Sequence, residues 1–230
     1  MKKLFKDWSI LELILLFVGP AIALTVGIVF KSDILTISAA IVGIICALLL
    51  AKGLVLGQFF GIAIVVLYSI VSYKNGFYGE MMIYILIMLP MYIWSIVEWS
   101  KHKNKETESV EINSIKPKEW AIVSICALAI FVGFYFLLKA LNTNELIIST
   151  LSVVDNIFAI YLLARRSKYG FVSYIVNDLI LIVLWGIPVI QGNLLLMAML
   201  INPFINLIND IYGVVNWSKL QKTQKQNKKE

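Results

Sequence analysis

The sequence predicts an all-α integral membrane protein with eight transmembrane helices. They form two parallel three-helix repeats joined by a linking helix, with one additional helix at the N-terminus. Three observations lead there. Hydrophobic residues make up 60% of the chain and charged residues 15%, against about 25% charged in ordinary soluble domains. Eight stretches are long enough, or nearly so, to cross a hydrocarbon core of roughly 30 Å. Each half also closes on nearly the same phrase, Glu98-Trp99-Ser100-Lys101 and Asn216-Trp217-Ser218-Lys219.

In chain order the apolar stretches are Ile10–Phe30, Ile34–Leu50, Val55–Tyr73, Met81–Trp99, Ala121–Leu138, Leu146–Ala164, Phe171–Ile190 and Leu194–Trp217. They lack strict alternation, and an open sheet leaves backbone groups unsatisfied in lipid, so they are read as helices. The first is too long for a signal-peptide core, runs directly into another span and shows no small-x-small cleavage site. It is therefore expected to be retained. The fourth and fifth are separated by a polar stretch, Lys101 to Lys118, placed as a fusion joint would be. The resulting division is 1–33 for the N-terminal helix, 34–101 for the first repeat, 102–144 for the linker and linking helix, 145–218 for the second repeat and 219–230 for a basic tail.

Other marks recur between the halves. Trp8 answers Trp120, Asp33-Ile34 answers Glu145-Leu146, and Lys52 with Gly57 answers Arg165 with Gly170. Four spans return the chain to its starting side, so the halves have the same orientation and are related by an axis along the membrane normal. Duplication of this kind in an apolar chain points to transport, with two bundles moving about a site near the midplane.

Basic residues set the orientation. The face that receives both termini carries 17 Lys and Arg, and the opposite face only Lys31, Lys74 and Lys139. Both termini are expected in the cytoplasm of a multi-pass protein of the inner (plasma) membrane. The net charge of +6 is then explained by topology and anionic headgroups, and no nucleic-acid partner is expected. Cys46 and Cys126 lie on different spans and read as small core residues. Trp8, Trp99, Trp120 and Trp217 flank span ends and read as an aromatic belt. Glu12 and Glu98 lie near span ends, where they reach water.

Asp155, Asp178 and Asp210 are the carboxylates deep within spans, all in the second half. Each costs about 2.5–3.5 kcal/mol at a span centre, so they should face the bundle interior or a wet cavity. On the last span Asn202, Asn206, Asn209 and Asp210 share one face, and Asn177 stands beside Asp178 on the seventh. The positions matching Asn202 and Asp210 in the first half are Tyr84 and Tyr92. Amides and carboxylates on one side and aromatic hydroxyls on the other suit a flat organic solute. The bland alternative is helix–helix glue, at about 0.6–2 kcal/mol per Asn. Pro90 and Pro203 each free a backbone carbonyl one turn earlier. His102 is the single histidine, and no phosphate-binding loop, Cys cluster or HExxH is present. The chain is thus read as neither an enzyme nor an ATPase, with no metal and no cofactor.

Three segments resemble the PnuC family of nicotinamide riboside transporters. They are Gly57-Gln-Phe-Phe-Gly61 with Tyr68 and Tyr73-Lys-Asn-Gly-Phe-Tyr78-Gly-Glu80; Leu162-Leu-Ala-Arg-Arg-Ser-Lys168 followed by Asn177; and Tyr212-Gly-Val-Val-Asn-Trp217. The resemblance covers most of the chain from about Ile34 onward. It implies a SWEET-like arrangement with an extra N-terminal span, and import of a nucleoside-like vitamin by facilitated diffusion with metabolic trapping. Similar chains are assigned thiamine, riboflavin or deoxynucleosides. This chain departs from the nicotinamide riboside pattern at Gly170 and Ser173, where the family tends to have tryptophans. It departs again at Tyr84, where Gln is frequent, and at Ser95, where Gly precedes the closing Trp.

On this reading Asn177, Asn202, Asn206 and Asn209 would bond ribose hydroxyls and an amide. Tyr84, Tyr92 or Trp185 would stack on the ring, and Asp178 or Asp210 would pair with a cationic solute. The expected partners are that small molecule, the lipid bilayer and further copies of the chain, with a trimer among the assemblies. A rival reading is a non-transporting membrane accessory protein whose polar stripe is an oligomer contact.

Overall fold

The structure, a computed structural model, describes residues 8–74, 81, 83–104, 108–143, 145–192 and 197–227. Among these residues the regular elements are all helices, linked by turns, non-helical stretches at 102–104 and 108–116 and two isolated bridges. The helices are α1 (Ile10–Val29), α2 (Ile34–Ala51), α3 (Leu56–Lys74), a π-helical turn (Tyr84–Met88) running into α4 (Leu89–Lys101), α5 (Pro117–Ala140), α6 (Leu146–Ala164), α7 (Tyr169–Ile190) and α8 (Met197–Asn227). Five of them, α1, α2, α5, α6 and α7, are long and apolar enough to cross a membrane. The stretch from 75 to 80 in the family-like motif and the expected start of the last span at Leu194 lie outside the described residues.

Helix starts follow local chemistry. Asp33 caps α2, its Oδ1 accepting from Leu35 N at 2.9 Å and Thr36 N at 3.2 Å. Ser9 and Glu12 form a reciprocal capping box on α1, which satisfies two otherwise orphaned donors. The ends are equally regular. Lys31, Gly53, Asn142, Arg166 and Gly192 all take positive φ just past α1, α2, α5, α6 and α7. That left-handed step turns the chain back and satisfies terminal carbonyls. After α2 and α6 the closure is the same: Leu54 N donates to Leu49 O at 3.0 Å, and Ser167 N to Leu162 O at 2.9 Å.

The next helix then packs back in the same way in both halves. A Cβ on Gly57 would lie 2.8 Å from Leu50 N, and one on Gly170 would lie 2.9 Å from Leu163 N. Only a residue without a side chain permits so close an approach.

Pro90 accounts for the π turn. Lacking an N–H, it cannot donate to the carbonyl four residues back. Just before it, Leu89 N–H reaches Tyr84 O, five residues back. The extra residue in the turn rotates the helix on either side of it.

The main core gathers at the end of the bundle that holds both chain ends. Trp99 and Trp217, both 0% exposed, meet there with Leu50, Ala51, Leu163, Phe171 and Val110. These two tryptophans are therefore not belt residues facing headgroups. Each indole N–H is buried and needs an acceptor. Trp99 donates to Leu163 O at 2.9 Å and Trp217 to Leu50 O at 3.1 Å. Each tryptophan thus bonds a carbonyl that belongs to the other half of the chain. Cys126 faces outward rather than inward, whereas Cys46 is buried and its thiol reaches Gly57 O.

Glu12 also departs from expectation. It is 4% exposed and pairs with Lys52 Nζ at 2.5 Å. Tyr212 donates to the same carboxylate, and Trp8 lies over the ammonium, 4.5 Å from ring centroid to Nζ. Burial becomes tolerable because every neighbour is a donor or a charge partner. In the second half Arg165 pairs with Glu119 at 2.6 Å, and Tyr161 donates to that carboxylate at 3.0 Å. The paired Glu119 holds the Arg165 guanidinium above its ordinary pKa.

The polar stretch between the halves packs across this same end. Val110 N donates to Gly53 O and Asn113 N to Arg166 O, each at 2.9 Å. Arg166 Nη1 donates to Glu111 O at 3.0 Å and Nη2 to Glu98 Oε1 at 3.2 Å. Residues 219–227 continue α8 as helix, and Gln224 bonds the stretch at Ile112 N and Val110 O.

Candidate functional site

Between the helices runs a polar track whose stations follow from the packing of α3 against the π turn and α4. Tyr92 is 7% exposed and its ring occupies the space over Gly61, where a Cβ would fall 2.0 Å from Cε1. Two turns along α3, Tyr68 stacks on Tyr84 with ring centroids 5.5 Å apart and planes at 18°. Eight residues of regular α-helix would leave Tyr84 and Tyr92 about 80° apart, given 100° per residue. The inserted π residue removes that offset, so both rings face one side of α3.

The second half supplies the acids and amides. Asp178 on α7 and Asp210 on α8, each 5% exposed, lie close to one another, and Asp178 Oδ2 has no hydrogen-bond partner among the described residues. Tyr174, one turn before Asp178, lies near Tyr92. Tyr92 of one half thus neighbours Tyr174, Asp178 and Asp210 of the other; Tyr174 is partly buried and the other three are buried.

Asn209 is 0% exposed, and neither its Oδ1 nor its Nδ2 has a partner among the described residues. The Oδ1 atoms of Asn202 and Asn206 are likewise buried and unpartnered. Each such group costs about 1–3 kcal/mol if it stays unsatisfied. Asn202 lines a mostly apolar cavity with Tyr68, Ile37 and Ile205 among others, between α1, α2, α3 and α8. That cavity adjoins the outer part of the track and does not include Tyr92 or Asn209.

Asn177 is used differently. Its Nδ2 donates to Ser152 O at 2.8 Å, and Ser173 Oγ donates to Asp155 Oδ1 at 2.7 Å. Both bonds tie α6 to α7, the glue role expected of amides and carboxylates between membrane helices. Trp185 is half-buried, two turns beyond Asp178. In the sequence Tyr174 carries no signal, and Gln58 appears only within the family-like Gly57-Gln-Phe-Phe-Gly61 segment. Gln58 is 0% exposed, with both amide atoms unpartnered among the described residues. A lone glutamine in the first turn of an apolar helix carries no periodic signal, so only its burial exposes it.

The matches to known proteins extend over the whole of this architecture. The family model described as nicotinamide mononucleotide transporter matches residues 33–219. A nicotinamide riboside transporter PnuC of Neisseria mucosa is 28% identical over 229 residues, 96% of this chain and 86% of that one. A nicotinamide riboside transporter PnuC of Haemophilus influenzae is 26% identical over 191 residues, 82% and 80% of the two chains. The crystal structure of the vitamin B3 transporter PnuC superposes with a TM-score of 0.79 at 27% identity, covering 96% of each chain.

Proposed function

The chain belongs to the nicotinamide mononucleotide transporter family, a family of membrane transporters rather than enzymes, and from that premise we propose that it carries nicotinamide riboside or a closely related nucleoside-like vitamin across the membrane. Transport is by facilitated diffusion, and phosphorylation inside the cell traps the product. The observation that carries this reading is a match over nearly the full chain to a nicotinamide riboside transporter and to the structure of a vitamin B3 transporter. The track of aromatic hydroxyls supports it, with amide atoms of Asn202, Asn206 and Asn209 that have no partner among the described residues, because a nucleoside offers a flat ring to Tyr84 and Tyr92 and hydroxyls to those amides.

One observation favours a second solute within the same fold. At the two positions where the family resemblance leads one to expect tryptophan, this chain has Gly170, whose backbone lies against Leu163, and Ser173, which bonds Asp155. Neither position supplies an aromatic face, which favours a deoxynucleoside, thiamine or riboflavin as the alternative.

The finer architecture belongs to the same proposal. The halves are parallel three-helix repeats about an axis along the membrane normal, with both termini in the cytoplasm of the inner membrane. The exchanged Trp99 and Trp217 bonds and the matching turns after α2 and α6 support the repeat. The basic residues of the termini face support the orientation. Further copies of the chain complete a homo-oligomer.

Thermal stabilisation of the purified protein tests solute choice, since a ligand that binds the folded state raises stability by mass action. Nicotinamide riboside should raise Tm in a saturable way, beyond thiamine, riboflavin and deoxynucleosides. A larger shift with one of those three would transfer the assignment to it.

A further inference from the structure

We infer that Gln58 and Ser95 form a hydrogen-bonding station for the solute at the termini end of the track, and that Gln58 selects solutes presenting a planar amide group there. The inference rests on the transport reading above and goes beyond it in assigning residues of the first half.

Register places the two side chains together. Helices α3 and α4 run antiparallel and touch where the Tyr92 ring covers Gly61. Gln58 lies three residues before Gly61 on α3, and Ser95 three residues after Tyr92 on α4. Both steps lead one turn along the same contact face toward Trp99. The two residues therefore share a level, directly inside the tryptophan pair.

Neither side chain reaches solvent. Both are 0% exposed, and Gln58 Oε1, Gln58 Nε2 and Ser95 Oγ have no partner among the described residues. A residue kept for helix packing would be bonded, as Asn177 is to Ser152. Two buried groups with free donors and acceptors on one face instead match something that comes and goes.

The other half shows what an apolar version of this place looks like. By the spacing from Gly57 and Gly170, Phe171 stands where Gln58 stands. By the spacing from Trp99 and Trp217, Gly213 stands where Ser95 stands. There the Phe171 ring fills the space over Gly213, with Cδ1 2.6 Å from where a Cβ would sit, and meets Trp217 edge-on at 5.1 Å. One side of the tryptophan pair is thus closed by a ring, and the other carries an amide and a hydroxyl. A glutamine offers an NH2 donor group and a carbonyl acceptor side by side in one plane. That arrangement pairs with a carboxamide or with the amide edge of a nucleobase, and it is mismatched to a carboxylate.

The test uses the full chain in proteoliposomes, with nicotinamide riboside and its carboxylate counterpart, nicotinic acid riboside, as probes. Gln58→Leu removes no existing hydrogen bond and should fold with Tm unchanged or raised. We expect it to raise KM for nicotinamide riboside by about tenfold or more and to shrink the preference over the carboxylate. Ser95→Ala should give a smaller KM increase of the same kind. Gln58→Met, unbranched and of similar length, serves as a second variant if Leu does not fold. Wild-type KM and preference in a folded Gln58 variant would overturn the station while leaving the transport reading intact. A fall in Tm with unchanged uptake per folded molecule would also overturn it, by making Gln58 a packing residue. Absence of saturable wild-type uptake for either probe would overturn both.

Discussion

The indole rings of Trp99 and Trp217 meet at 5.4 Å between centroids and 53° between planes, at the end of the bundle that holds both chain ends. Each closes its own half of the sequence, yet each N–H is accepted by a carbonyl from the opposite half. The contact therefore acts as a clasp between halves as well as a core element.

If the clasp is symmetric in energy as in geometry, Trp99→Phe and Trp217→Phe should cost similar stability. Each loses one hydrogen bond, worth about 0.5–1.5 kcal/mol, while Leu163 O and Leu50 O keep backbone donors in Arg166 N and Gly53 N, each at 2.8 Å. Thermal unfolding of the two variants in detergent checks this. A large loss in one and none in the other would show that the two halves are not held equivalently.

The Glu12–Lys52 pair predicts a coupling. Removing one partner from a buried pair typically costs about 3–5 kcal/mol, because the other charge is left uncompensated. Glu12→Ala and Lys52→Ala should each destabilise strongly, and the double variant by clearly less than their sum. An additive double-mutant cycle would mean that Tyr212 and Trp8 hold α1 in place without the ion pair.

Much of this was legible in the sequence, and what was not has physical causes. Helix ends followed hydropathy and capping, and the burial of Asp178 and Asp210 followed from the cost of charge in lipid. The tryptophans at 99 and 217 were misread because a position near a span end suits either an interface anchor or a buried clasp. Periodicity cannot tell these apart, whereas the partner carbonyls on another helix can. Glu12 was assigned to water for the same reason, since Lys52 lies 40 residues away. The polar composition of the stretch after Lys101 concealed that its backbone bonds both halves. Tyr174 stands in no sequence pattern, and Gln58 stands only inside the family-like Gly57-Gln-Phe-Phe-Gly61 segment, which gives it no role.

Orientation can be checked directly. Reporter fusions after Lys74 and at the C-terminus should report opposite sides of the membrane, with the C-terminus cytoplasmic. Finding both on one side would remove the proposed topology.

The stretch between the halves makes a further prediction. Val110 is 0% exposed against Trp99, Trp217 and Leu50. Val110→Asp would bury an unpaired carboxylate there, which costs several kcal/mol or forces the segment off the core. Proteolysis near residue 110 should accelerate in that variant and remain slow in the wild type. Equal cleavage rates would show that the segment is already open.

The central claim is that the stripe on α8 lines a solute path, and uptake per folded molecule by Asn206→Leu in proteoliposomes tests it most directly. Asn206 Oδ1 is buried without a partner among the described residues, so leucine removes a group available to solute and no described bond of that atom. The account predicts that saturable nicotinamide riboside uptake per folded molecule falls by at least tenfold while Tm stays near that of the wild type. Wild-type uptake per folded molecule, with or without a drop in Tm, would contradict it and make the stripe a packing feature.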